Sequence, residues 1–140
     1  MGALERTVGM IESVAERHDV PDAVQATFGV SDDATLWAVR YATQAPARSL
    51  FASCDAETVR RLYPDNPRFQ QLDSGDRLIV SEPFSDLPGL WDEIPASSAV
   101  IVRAGGALEH QPFRPEPVDA DTTVTPNDGA MTPEPWSDPG

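Results

Sequence analysis

The sequence contains no lysine and a single cysteine, Cys54. One thiol excludes an intrachain disulfide and any zinc site of the CxxC type. No apolar run approaches the roughly 20 residues needed to span a bilayer. The opening residues Met1-Gly2-Ala3 do not begin a basic and then apolar leader, so a cytoplasmic location is expected. Basic charge is scarce too: ten arginines face 23 acids, a formal net charge of −13. That balance argues against nucleic acid, whose phosphates are bound by Lys and Arg, and against anionic membranes. Neither His18 nor His110 has a partner at metal-ligand spacing, so no metal and no other cofactor is expected. A length of 140 residues allows one ordinary domain at most.

What is present is unevenly spread. From Pro115 to Gly140 there are six acids, six prolines and no base, with little to bury beyond Val118, Val124, Met131 and Trp136. Residues 115–140 are therefore expected to form an acidic, Pro-rich disordered tail, and residues 3–114 a folded domain. Within that domain Leu4, Val8, Ile11 and Ala15 recur at helical spacing. This predicts an amphipathic helix whose buried face they form, ending near His18 with Pro21 beyond. Val24, Ala26 and Phe28 alternate with polar residues, Ser31-Asp32-Asp33 supplies turn chemistry, and Leu36 to Tyr41 resumes a strand. A third strand is expected in RSLFASC, and a short helix capped by Asp55 and stopped by Pro64. Strands in DRLIVSE, SSAVIVRA and ALEHQPF follow, with GLWDEIP between them as a turn or short helical segment.

The pattern is α+β, with two helices and a largely antiparallel sheet. The runs AVIVRA and RLIVSE suggest strands buried on both faces. Two modest helices cover about one face of a six-stranded sheet. A partner is therefore expected on the other face, either a complementary N-terminal half chain or a further copy of this one.

Three stretches, in order, carry a resemblance. Asp33 to Tyr41 reads DATLWAVRY, Val80 to Pro83 reads VSEP, and Trp91 to Pro95 reads WDEIP. The chain resembles the C-terminal half of class II glutamine amidotransferases of the compact bacterial kind, with Ala34 where the family's hairpin carries glycine. The resemblance implies part of an αββα sandwich of the N-terminal-nucleophile hydrolase type, lacking its N-terminal half. It implies glutamine amide hydrolysis and ammonia donation for the assembled domain, with glutamine bound only there. It implies as landmarks, structural rather than catalytic, Trp37, Arg40, Ser81, Glu82, Pro83 and Trp91. The family's nucleophile is an N-terminal cysteine and its oxyanion hole an Asn-Gly pair. Here Met1 is followed by Gly2, and the only asparagines, Asn66 and Asn127, precede Pro67 and Asp128. No catalytic residue is therefore assigned, and the chain alone is expected to be inactive.

The remaining candidates have plainer readings. Cys54, beside Asp55 at a helix start, is a conceivable nucleophile with His18 or His110 as base, but a packed thiol is the simpler account. His18 suits a helix C-terminus and His110 a solvated strand face. Asp32 and Asp33 are turn formers before they are cation ligands. Arg40, in an otherwise apolar strand, either faces water or pairs internally, with Glu82 as one candidate partner. Glu82 itself precedes Pro83, which ends a strand by removing a ladder donor. A general acid and a holder of the strand end are its two readings, the second the better. Two functions stay open: a fragment of an amidotransferase-like enzyme, or a stand-alone non-catalytic binding or scaffold module derived from that fold.

Overall fold

The computed structural model describes residues 1–118, so the expected tail lies outside the described residues from Asp119 onward. Two helices and seven strands follow in the order α1 (Gly2–Arg17), β1 (Gln25–Ser31), β2 (Thr35–Ala42), β3 (Phe51–Ser53), α2 (Ala56–Leu62), β4 (Ile79–Val80), β5 (Trp91–Glu93), β6 (Ser98–Arg103) and β7 (Leu108–Pro112). A 3₁₀ turn, Phe69–Gln71, follows α2. The strands form two antiparallel sheets, one ordered β1-β2-β6-β7 and a smaller one ordered β4-β3-β5.

Side-chain alternation along β2 and β6 builds the layers. Val39, Tyr41 and Ala99 face α1, packing with Val8 and Phe113. Ala38 and Val100 point the other way, against Leu50 and Ala52 of the second sheet's connection and strand and against Ile94. The outer face of the small sheet carries α2, where Val59, Phe69 and Leu90 pack with Leu78 and Trp91. The order is helix, sheet, sheet, helix. β6 is buried on both sides, with Ala99 and Val100 wholly enclosed, which is why it reads as an unbroken apolar run.

Four sequence expectations change. There are two sheets rather than one of six strands, and the middle of the large sheet's inner face packs on the chain's own second sheet. The segment 43–50, stiffened by Pro46, carries the chain from one sheet to the other. GLWDEIP is not helical: Trp91–Glu93 is a strand, because its backbone pairs with Phe51–Ser53. The DRLIVSE strand shrinks to Ile79–Val80. Just before it, Leu78 N–H is taken by the Ser53 side chain at 3.0 Å and Arg77 is drawn to the Ser53 and Gly106 carbonyls. Finally Ile11 is 47% exposed while Val8 and Gly9 are buried. Val8 packs on the large sheet and Phe113, and residues 114–118 run along the helix on the Gly9 side, so the buried face takes in Gly9 and leaves Ile11 out. Arg114 N–H donates to the Glu5 carboxylate (2.9 Å), Glu116 N–H to the Glu5 carbonyl (3.3 Å) and Val118 N–H to Ser13 Oγ (3.2 Å). A Cβ on Gly9 would collide with the Glu116 backbone, so glycine is what admits this segment.

Candidate functional site

Of the landmark residues, Arg40 is the one that lies between the two sheets. Arg40 occupies the inner face of β2, opposite Ser98 of β6. Its Nη1 donates to Glu93 Oε1 at 2.7 Å and to the carbonyl of Ile94, and its Nη2 to the Ala47 carbonyl at 3.4 Å. Arg40 is therefore a clasp between the sheets, joining β2, the 43–50 crossing and the end of β5. The Arg40 side chain is 13% exposed and that of Glu93 55%. The ion pair is screened at one end, and the two carbonyl bonds hold the more enclosed part. Arg40 Nε is buried without a partner among the described residues.

Arg40 pairs internally, but not with Glu82, the candidate partner. Glu82 is exposed and makes no hydrogen bond or ion pair among the described residues. Glu93 takes its place because β5 is hydrogen-bonded beside β3 and brings its carboxylate under β2. Nor does Glu82 hold the strand end. That contact belongs to the neighbouring Ser81, whose carbonyl accepts from Ser49 Oγ at 2.8 Å. Pro83 follows where β4 has already ended.

Trp91 lies on the outer face of the small sheet in a run of tilted and edge-on aromatic contacts with Phe84, Phe69 and Tyr63. Its indole Nε1 is buried and without a partner among the described residues. Trp37 is half-buried on the α1 side of the large sheet, opposite Ile101. Asp32 shapes the β1–β2 turn by accepting from the N–H groups of Ala34 and Thr35, and Asp33 takes the left-handed conformation (φ 71°).

Cys54 is half-buried against the Val59–Phe69–Leu90 cluster, and its N–H donates to Leu90 O at 2.9 Å. Asp55 caps α2, accepting from Thr58 N–H at 2.7 Å. That backbone bond, more than any other contact, holds the Asp55 carboxyl below the ordinary carboxylate range. His18 caps the far end of α1, across both sheets from Cys54, and stacked sheets alone are about 10 Å apart. His110 is exposed on β7. Neither histidine is hydrogen-bonded to the thiol among the described residues, and the carboxylate beside it, Asp55, is engaged as the cap of α2. No group of three or more His, Cys, Asp or Glu among the described residues is arranged to hold a metal ion. No helix among them is long and apolar enough to cross a membrane.

One arrangement escaped the sequence reading. Glu12 of α1 turns inward and accepts from Tyr41 Oη at 2.6 Å and from Thr43 Oγ1 at 2.7 Å. Burial, then the hydrogen bond and charge of Glu12, push the Tyr41 phenol up to about 12. The three side chains line a recess of about 500 Å³ with Glu16 and Asp19. The signal was available: Glu12 lies four residues after Val8 and three before Ala15, on the same face.

Comparison with family models and with curated protein sequences returned no match. Among solved structures, the chain is similar to a glutamine aminotransferase class-II domain protein from Silicibacter pomeroyi. The TM-score is 0.61 and the identity 23%, over 82% of this chain and 44% of that one. At that identity the likeness is one of fold. The chain spans less than half the length of the protein it matches.

Proposed function

We propose that the chain acts as the C-terminal half of a class II glutamine amidotransferase-like domain, a scaffold on which catalytic groups from another segment hydrolyse glutamine. The observation that carries this reading is the fold likeness over 82% of the chain but only 44% of its neighbour. The three landmark stretches found in order support it. On this reading Trp37, Arg40, Ser81 and Trp91 support the sheets, Glu82 and Pro83 mark the segment after β4, and none of the six touches substrate. The thiolate that attacks the amide carbon, the α-amino group that protonates the departing ammonia and the oxyanion donors come from the rest of the domain, whether on the same polypeptide or another. Water then hydrolyses the thioester to give glutamate. On this reading Cys54 does not substitute, since it packs against the Val59–Phe69–Leu90 cluster and Asp55 beside it caps α2.

The test is an ammonia-release assay with glutamine, on the chain alone and mixed with a polypeptide that begins Met-Cys and contains Asn-Gly. The expected result is no release alone and glutamine-dependent release from the mixture, unchanged by Cys54→Ser. Release by the lone chain overturns the account, and its loss on Cys54→Ser would reassign the chemistry to that thiol. If neither sample releases ammonia, while the lone chain unfolds cooperatively and binds no hydrophobic dye, the chain is a non-catalytic scaffold module.

A further inference from the structure

The edges of the two sheets are not equivalent. β4 is two residues long, β5 carries Asp92 and Glu93, and β7 carries Glu109 and ends in Pro112. Shortness, charge and proline are devices that keep an edge strand from pairing with another chain. β1 has none of them: its seven residues, QATFGVS, contain no charge and no proline.

The β1–β2 ladder decides what that edge presents. Thr43 N–H donates to Val24 O and Asp32 N–H to Thr35 O, so even-numbered residues pair inward with β2. Gln25, Thr27, Gly29 and Ser31 therefore turn their N–H and C=O groups outward, unpaired among the described residues. Beneath this edge a cavity of about 250 Å³ opens between the sheets, with Gly29, Leu36 and Ala38 on one wall and Leu50 and Ile79 on the other. A Cβ on Gly29 would meet only Leu36 Cδ1 at 3.4 Å and the Trp37 carbonyl at 3.8 Å. Packing within the chain does not require glycine there, and its bareness leaves the mouth of the cavity open.

Charge selects the occupant. Asp22 precedes β1, Asp32 and Asp33 follow it, and all three are exposed. A second copy paired antiparallel through β1 would set Asp22 of one chain near Asp32 and Asp33 of the other, and would bring together two chains of formal charge −13. We infer that β1 accepts an extended segment of another protein, apolar at alternate positions and basic at its ends. The segment's backbone pairs with Gln25, Thr27, Gly29 and Ser31. One inward apolar side chain enters the cavity beside Gly29, and the basic ends meet Asp22 and the Asp32–Asp33 turn. The inference is independent of the amide-hydrolysis reading, since an accepting edge serves a scaffold as well as an enzyme.

The probe is the blocked peptide acetyl-Lys-Thr-Val-Thr-Leu-Thr-Val-Thr-Lys-amide, with a twin carrying Glu at both ends, added to the full isotopically labelled chain. The amides of Gln25, Thr27, Gly29 and Ser31 are expected to shift and gain exchange protection, those of β7 to stay unchanged, and the Lys peptide to bind at least about tenfold more tightly than its twin. Gly29→Lys, which plugs the cavity mouth with a charge, should weaken binding about tenfold or more. Val30→Lys adds the same charge on the opposite face and should not. Thr27→Pro removes one outward N–H without touching the ladder to β2 and should also weaken it; unchanged β2 and β6 protection certifies each variant's fold. Unmoved β1 amides at saturating Lys peptide overturn the proposal, as does equal binding of the twin. So does β1 protection that rises with protein concentration alone, which would place a second copy on the edge.

Discussion

Replacing Tyr41 with phenylalanine removes one of the two donors to the Glu12 carboxylate that pins α1 to β2. The lost bond is short, 2.6 Å, and accepted by a carboxylate. Bonds of that class contribute about 1.5–3 kcal/mol. Thr43 Oγ1 still donates to Glu12 at 2.7 Å, so the carboxylate is not orphaned, and a loss of about 1–2 kcal/mol is expected from denaturant unfolding. The pH dependence gives a sharper signature. The phenol is raised from 10.0 to about 12 in the folded chain. Below pH 10 both folded and unfolded states hold the proton and the contribution is fully present. Between about 10 and about 12 the unfolded state releases it first, so stability falls as pH rises and the contribution is gone above the folded value. Two pH units correspond to about 2.7 kcal/mol; because the hydroxyl borders an open recess, about 1–2 kcal/mol survives solvent screening. In a Tyr63→Phe background, ultraviolet tyrosinate absorbance reports Tyr41 alone. Half-titration at the ordinary 10.0, or an alkaline stability slope unchanged in Tyr41→Phe, refutes the argument.

Other outcomes follow from the same contacts. Arg40→Ala strips a donor from the Ile94 and Ala47 carbonyls and should destabilise by about 2–3 kcal/mol. Glu93→Ala, losing only a half-exposed charge, should cost about 1 kcal/mol or less, and urea titrations of the two separate a carbonyl clasp from an ion pair. Gly9→Ala should leave α1 helical, alanine being the better helix former by about 1 kcal/mol. It should also displace residues 114–118, read as faster amide exchange at Glu116 and Val118. Asp55→Asn should flatten the acid limb of the stability curve. The lowered Asp55 carboxyl stabilises the fold above its unfolded value and loses that contribution as pH falls through the folded one, so the difference from wild type should vanish in strong acid.

Much of the fold was readable where one local pattern decides the outcome. α1 and its end at His18, the β1–β2 hairpin around Asp32, the Asp55 cap and the apolar run of β6 all rest on contacts within a few residues or on a single period. Sequence composition also bounded the charge, the lone thiol and the missing Asn-Gly pair, whatever the fold.

Tertiary pairing decided the rest. Trp91–Glu93 is a strand only because β3 lies beside it, and that neighbour places Glu93, not Glu82, beneath Arg40. Ile11 and Val8 have equal claims to the core by periodicity. The large sheet, through Val39, Tyr41 and Ala99, settles which of them is covered, and the segment 114–118, more than a hundred residues away along the chain, closes over Gly9 beside Val8. β1 carries nothing in its own letters to say that it is an edge. Its uncharged, proline-free sequence acquires meaning only once β2 is found on one side of it and the opening between the sheets beneath the other. Local chemistry fixes which residues can be helix or strand, whereas hydrogen-bond ladders between distant segments fix which faces and edges remain to be used.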